Sequence, residues 1–237
     1  MIRNLKSSKM EKMLISEQST IIPQGVILPD DKSRFAWDFL VLIQIIIFTF
    51  TIPFQASFLD SEVGIPMFVL DTCMDIIFIM DIFAHLKKFA TMKDGILLVE
   101  PSEFRPIYMK SNFSIDVISS VPASTVGYFL QIKDRRYGVL RLFQFIRLRY
   151  FGDYLNMFVE NVNSKTRFTI STAQLRLMQI FFIVLFLCHW FACIFHLIGH
   201  IPSEEDTWLL VDESTDAQNS ARYLRSFYWS LYTGKYD

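Results

Sequence analysis

Two stretches of this sequence place charge where apolar residues dominate. Asp71, Asp75, Phe78 and Asp81 lie in one apolar block, and Arg135, Arg141 and Arg147 follow at steps of six in another, with Gly138 and Gln144 at the intervening threes. A carboxylate or guanidinium at the centre of a membrane helix costs about 2.5–3.5 kcal/mol on insertion scales, so such charges face protein or water and find partners. On a helix turning about 100° per residue, Asp75, Phe78 and Asp81 fall at about 40°, −20° and −80° from Asp71, an acidic face around an aromatic ring. Asp116 sits a few residues inside a third block. The arginine register is compatible with two geometries: a 3₁₀ stretch eclipses every third residue along one line, whereas an α-helix winds them into a spiral stripe. Either stripe would meet the acidic face in turn. Moving one elementary charge through 100 mV changes its energy by about 2.3 kcal/mol, so the chemistry these residues suit is sensing of membrane potential. The competing readings are a basic helix lying on a membrane surface and aspartates solvated at helix ends.

Elements long enough to carry these residues through a bilayer are legible as apolar runs, since a spanning helix needs about 20 residues. Phe39 to Leu59 and Leu177 to Ile201 contain no Asp, Glu, Lys or Arg. Three further blocks carry charge: Ile65 to Leu86, Phe113 to Ile132 and Val139 to Val159. Five membrane helices are expected. Lys and Arg collect in cytoplasmic loops, and here they alternate. Arg3, Lys6, Lys9, Lys12, Lys32 and Arg34 precede the first run, Asp60 to Gly64 has none, and Lys87, Lys88, Lys93, Arg105 and Lys110 follow the second. Lys165, Arg167 and Arg176 follow the fourth, and beyond Ile201 the chain is acidic through Glu204, Glu205, Asp206, Asp212, Glu213 and Asp216. The N-terminus is therefore expected inside the cell. The first 34 residues are polar, so no cleavable signal is expected. From Ala221 to Asp237 an aromatic, amphipathic stretch too short to span fits a helix dipping back into the membrane.

Composition narrows the classes. With 52% apolar residues, 24 Phe and only 20% charged residues, the chain is neither a disordered tail nor a disulfide scaffold. A net charge of −1 gives no pull toward nucleic acid. Cys73, Cys188 and Cys193 lie inside apolar stretches without zinc or disulfide spacing. His189, Cys193 and His196 have i, i+4, i+7 spacing that suits a metal in principle, but helix packing is the expectation, and neither metal nor cofactor is expected. No nucleophile, base or phosphate loop forms a plausible constellation, so the chain is not expected to be an enzyme.

Several segments together resemble a known family. ILPDDKSRFAWDF and IPFQASF resemble the start and end of its first helix, DTCMDIIFIMDIF its second, and EFRPIYMKSNFSIDVISSVP the run into its third. LCHWFACIFHLIG resembles its fifth helix, and TWLL followed by YLRSFYWSLYT its outer turret and pore helix. In order and with matching gaps, they resemble the transmembrane part of a voltage-gated potassium channel of the cyclic-nucleotide-binding superfamily, near the plant inward-rectifier and ether-à-go-go types. The resemblance implies that Phe78, Asp81 and Asp116 form a charge-transfer centre, and that Asp71 and Asp75 are outer countercharges. Arg135, Arg141 and Arg147 are then gating charges, in a sensor depleted at Gly138 and Gln144, with Arg149 facing elsewhere. Tyr228, Trp229 and Thr233 would belong to the pore helix. The family continues from there into a filter whose carbonyls replace the ion's hydration shell; here Gly234, Lys235, Tyr236 and Asp237 follow.

The resulting expectation is an all-α membrane protein: a four-helix voltage-sensor bundle, then the first pore-domain helix and a partial re-entrant pore helix. Residues 1–32 form a cytoplasmic leader, 33–158 the sensor, 159–171 a cytoplasmic linker and 172–237 an incomplete pore domain. The expected function is as a subunit or fragment of a tetrameric voltage-gated potassium channel, and Asp237 is not expected to be the natural end of a working channel. The alternative is a non-conducting, sensor-bearing regulatory subunit that joins full-length channels. Expected partners are other channel subunits in a homo- or heterotetramer, the lipid bilayer, and potassium ions if the pore is completed, with no nucleic acid. The expected location is multi-pass in the plasma membrane.

Overall fold

The computed structural model describes residues 23–58, 65–130, 141–165, 170–199 and 218–233. Helix α1 spans Lys32–Phe58 and α2 Ile65–Lys87, followed by a hairpin of β1 (Thr91–Lys93) and β2 (Ile96–Leu98). Three short helices come next, α3 (Pro101–Ser111), α4 (Phe113–Ser119) and α5 (Ala123–Phe129). A 3₁₀ helix, Arg141–Tyr150, runs directly into α6 (Phe151–Lys165), and α7 (Thr172–Gly199) and α8 (Asn219–Thr233) complete the described elements. Two of the described helices, Lys32–Phe58 and Thr172–Gly199, are long and apolar enough to cross a membrane by length and composition.

Three features differ from the sequence expectation. The block Phe113 to Ile132 is not one helix: α4 ends at Ser119 and α5 begins at Ala123. Pro122 lies between them, and a proline disfavours helical geometry in the residue before it. The chain is also not wholly helical, because Thr91–Lys93 pairs antiparallel with Ile96–Leu98. Asp94 and Gly95 both have positive φ, 52° and 80°, the two-residue turn that Asp-Gly favours between strands. Finally, the arginine-bearing segment is 3₁₀ over ten residues, longer than the three or four usual for that geometry.

The packing explains that length. Residues 141, 144 and 147 of the 3₁₀ helix are all buried, because a three-residue repeat keeps every third side chain on one line. The core beside them is apolar: Val41, Ile45, Phe48 and Ile52 of α1 pack with Met74 and Phe78 of α2, and Phe145, Leu148, Tyr154 and Trp37 close against them. The 3₁₀ helix packs on α1 and α4, α2 on α1, α3, α4 and α5, and α6 on α1. Helix α6 continues through Lys165, so residue 158 falls within it. Helix α7 packs on α1 and carries α8. His189 of α7 lies 3.0 Å from the Phe50 carbonyl of α1 through Nε2, and 2.9 Å from the Tyr223 hydroxyl of α8 through Nδ1. Before α1, Ile27 and Ala90 bond backbone to backbone, tying the leader to the end of α2.

Candidate functional site: a ladder of buried charge

Three tiers join the 3₁₀ helix to α2. In the first, Arg141 Nη1 donates to Asp71 Oδ2 at 2.7 Å and also to Gln55 Oε1, while Gln55 Nε2 donates to Asp71 Oδ1 at 3.2 Å. In the second, Gln144 Nε2 donates to Asp75 Oδ1 at 2.9 Å. In the third, Arg147 Nη1 lies 3.4 Å from Asp81 Oδ2, and its guanidinium carbon sits 4.0 Å from the centroid of the Phe78 ring. Three residues of 3₁₀ helix rise about 6 Å, and Asp71, Asp75 and Asp81 are separated by about 6 and 9 Å along an α-helix, so the two rows match over the first interval and part by about 3 Å over the second, where the contact is longest.

Burial makes these pairings consequential. Arg147 is 1% exposed, Arg141 2% and Asp75 2%, and removing one partner of such a buried pair is far costlier than breaking a surface pair. The middle tier carries a carboxylate but no cation. Within it Asp75 Oδ2 and Gln144 Oε1 are buried without a hydrogen-bond partner, as are Nε and Nη2 of Arg141 above.

Arg147 is held on several sides. Its Nε donates to Ser119 Oγ at 2.9 Å, and Nη2 donates to Ser120 Oγ at 2.8 Å and to the Asp116 carbonyl at 3.4 Å. The Asp116 carboxylate is engaged elsewhere, accepting from Tyr108 at 2.7 Å and Tyr150 at 3.1 Å. Burial and the Asp116 carboxylate push the Tyr108 phenol well above its ordinary range, so it remains a donor. Asp81 in turn accepts from Trp37 Nε1 at 2.9 Å and lies 3.4 Å from His85 Nδ1.

Asp71, Asp75, Phe78, Asp81, Asp116, Arg141 and Arg147 thus come together in one buried column. Gln55, Trp37, His85, Ser119, Ser120 and the two tyrosines join it without having been singled out in the sequence. Ser119 and Ser120 also bond back through their hydroxyls to the Asp116 carbonyl. Arg149 points away, donating to Asn112. Arg135 and Gly138, the loop 59–64, the acidic segment 204–216 and residues 234–237 lie outside the described residues. In α8, Trp229 stacks on Phe195 at 3.8 Å, Tyr228 stacks on Tyr232 at 5.9 Å, and Thr233 is the last helical residue. Helix α8 packs on α7. His196 Nδ1 lies 3.0 Å from the Ser57 carbonyl of α1, and Cys193 Sγ 3.6 Å from His189 Nε2.

The ion transport protein family matches residues 34–235, most of the chain and all of this column. The chain belongs to the ion transport protein family. It is 24% identical to potassium channel AKT2/3 of Arabidopsis thaliana over 88% of its own length and 26% of that protein's. It is 26% identical to the voltage-gated delayed rectifier potassium channel KCNH5 of Homo sapiens over 75% of the chain and 17% of the relative. With potassium/sodium hyperpolarization-activated cyclic nucleotide-gated channel 2 of Mus musculus the identity is 22% over 90% of the chain and 26% of the relative. The chain therefore spans about a quarter or less of the length of these relatives. They bear out the resemblance to voltage-gated potassium channels of the cyclic-nucleotide-binding superfamily, and with it a membrane protein of ion transport rather than an enzyme.

Proposed function

We propose that the chain is the voltage-sensing part of a subunit of a tetrameric voltage-gated potassium channel, in which Arg141 and Arg147 are the gating charges among the described residues. The observation that carries this reading is the ladder of Arg141 with Asp71, Gln144 with Asp75 and Arg147 with Asp81, spaced evenly along a 3₁₀ helix. A 3₁₀ helix can slide along its axis and exchange partners without turning, because its buried residues already lie on one line. One step inward, about 6 Å, takes Arg141 to Asp75 and carries Gln144 past Phe78 toward Asp81, which lies about 9 Å beyond Asp75 along α2. Phe78 lies across the path of Arg147; a guanidinium passing it exchanges one carboxylate for the next while the ring keeps water from bridging the two sides. Two charges crossing the whole field gain about 4.6 kcal/mol per 100 mV in each subunit, taking about 2.3 per charge.

In this reading residues 33–158 form a four-helix sensor with the N-terminus in the cytoplasm, set in the plasma membrane. Asp71 and Asp75 are outer countercharges, Phe78 and Asp81 with Asp116 are the transfer centre, and α7 and α8 begin the pore domain with Tyr228, Trp229 and Thr233 on its pore helix. Potassium ions and further subunits, identical or homologous, are the partners. State-dependent accessibility tests it. With Arg141→Cys, a membrane-impermeant thiol reagent applied outside reacts faster at depolarised than at hyperpolarised potentials. Equal rates at both potentials contradict the proposal.

A further inference from the structure

His85 of α2 sits one helical turn beyond Asp81 and meets the ladder through that residue. Its Nδ1 is 3.0 Å from the Asp81 carbonyl and 3.4 Å from Asp81 Oδ1, both acceptors, so Nδ1 carries the hydrogen. Its Nε2 is 3.5 Å from Nη2 of Arg34. A guanidinium has only donors, so in the tautomer with its hydrogen on Nδ1 the ring faces Arg34 with Nε2 as an acceptor. Arg34 is itself fixed, donating to Asp38 at 2.9 Å and lying over the Phe89 ring at 3.7 Å.

The ring is within reach of water. The His85 side chain is 20% exposed, and a cavity of about 330 Å³ is lined by His85 with Arg34, Thr91, Ser111 and Asn112 among others. The titratable and charged groups around it are Asp81 on its own helix, Arg34 and Asp38 on α1, and Tyr108 on α3, whose ring stacks on it at 5.2 Å. Behind these stand Asp116, bonded to Tyr108, Arg147, sharing Asp81, and Tyr154 of α6, packed on the core. Arg105 of α3 donates to the Leu86 carbonyl next door.

We propose that His85 is a proton-binding site, filled from the cytoplasmic side, and that the bound proton restrains the inward step of Arg147. The coupling and the side of entry rest on the sensor reading above; the proton site itself does not. The step is simple: Nε2 takes a proton from water, forming an N–H bond, and the imidazole gains one positive charge. Two donors then face each other at Arg34, so that contact opens toward the cavity. In the observed register the new charge is screened from Arg147 by the Asp81 carboxylate, with Oδ1 toward His85 and Oδ2 toward Arg147. One inward step moves Arg147 about 6 Å. His85 lies about 6 Å beyond Asp81 along α2, so that step takes Arg147 off the carboxylate and to the level of a like charge. Cytoplasmic acidification therefore favours the observed register, and stronger hyperpolarisation is needed to leave it.

Two measurements test this. In the full chain labelled with ¹⁵N-histidine in micelles, the resonance lost in His85→Gln or His85→Asn identifies the ring. At about pH 8 it should be the Nδ1–H tautomer and at about pH 5.5 the doubly protonated form, since an imidazole ordinarily titrates near pH 6.5. The Nε2–H tautomer, or no protonation across that range, overturns the site. Second, lowering cytoplasmic pH should shift charge movement to more negative potentials in the wild type and not in His85→Gln. A titrating His85 with no shift, a shift of opposite sign, or the same shift in His85→Gln overturns the coupling. Absence of any charge movement overturns the sensor reading and the coupling together, and the resonance still decides the proton site.

Discussion

Gln144 and Asp75 form the tier that lacks a cation, and the tier's chemistry follows from that one residue. Asp75 Oδ2 is buried with no hydrogen-bond partner, so a guanidinium at position 144 would find an acceptor waiting. Gln144→Arg is expected to increase the charge moved per sensor by up to half over the two described arginines, measured as the integral of the gating current. Arg147 is the converse case. Arg147→Gln leaves Asp81 buried with one cationic neighbour fewer, and breaking a buried pair costs about 3–5 kcal/mol, to be read as a lowered thermal midpoint in micelles. Adding Asp81→Asn should recover part of it. The acidic face and the arginine repeat were legible at this scale because Asp71, Asp75, Phe78 and Asp81 follow one another on a single helix. Trp37, Gln55 and Ser119 were not, because they reach the column from other elements through contacts between residues far apart in sequence.

Local chemistry decided some elements and tertiary packing decided others. Both ends of α2 and the C-terminal end of α1 follow the apolar runs within a residue, whereas α1 and α7 begin at Lys32 and Thr172, before their runs at Phe39 and Leu177. The hairpin could have been found from Asp94-Gly95, the strongest short-range turn signal. Gly95 has φ of 80° and nothing within 4 Å of an added Cβ, so Gly95→Ala is strained by backbone conformation alone. A cost of about 1 kcal/mol is expected from thermal unfolding in micelles. The 3₁₀ helix was beyond reach from sequence, since the repeat at 141, 144 and 147 suits either helix type. What selects the tighter helix is a row of partners on α1, α2 and α4 that a straight line of side chains meets and a spiral stripe would not.

Across the whole molecule, α7 meets α1, the 3₁₀ helix through Trp190 on Phe145 and α6 through Phe182 on Phe151, and His189 is the bond shared by α1, α7 and α8. Burial depresses the number of ways to replace it: His189→Leu removes the partner of both the Phe50 carbonyl and the Tyr223 hydroxyl, at about 1–3 kcal/mol for each buried group left unpaired. The expected outcome is earlier proteolysis of α7 and α8, with the ladder retained. Topology belongs to this scale too. Thiol labelling of Ser61→Cys from outside, with none at Lys93→Cys, is expected from the alternation of Lys and Arg; reversed labelling contradicts it. That alternation and the run lengths were legible because the bilayer imposes them on sequence. The break at Pro122 had a local signal in the proline itself, whereas the packing of α8 on α7 depends on neighbours that no local pattern names.

The measurement that bears most directly on the account is the gating current of this chain in a voltage-clamped membrane. A transient charge movement that saturates at both extremes of potential is predicted, together with its loss when Arg141→Gln and Arg147→Gln are combined and both variants still reach the surface. A movement unchanged by that double substitution, or none from a chain present in the membrane, would contradict the claim that these two arginines sense the potential.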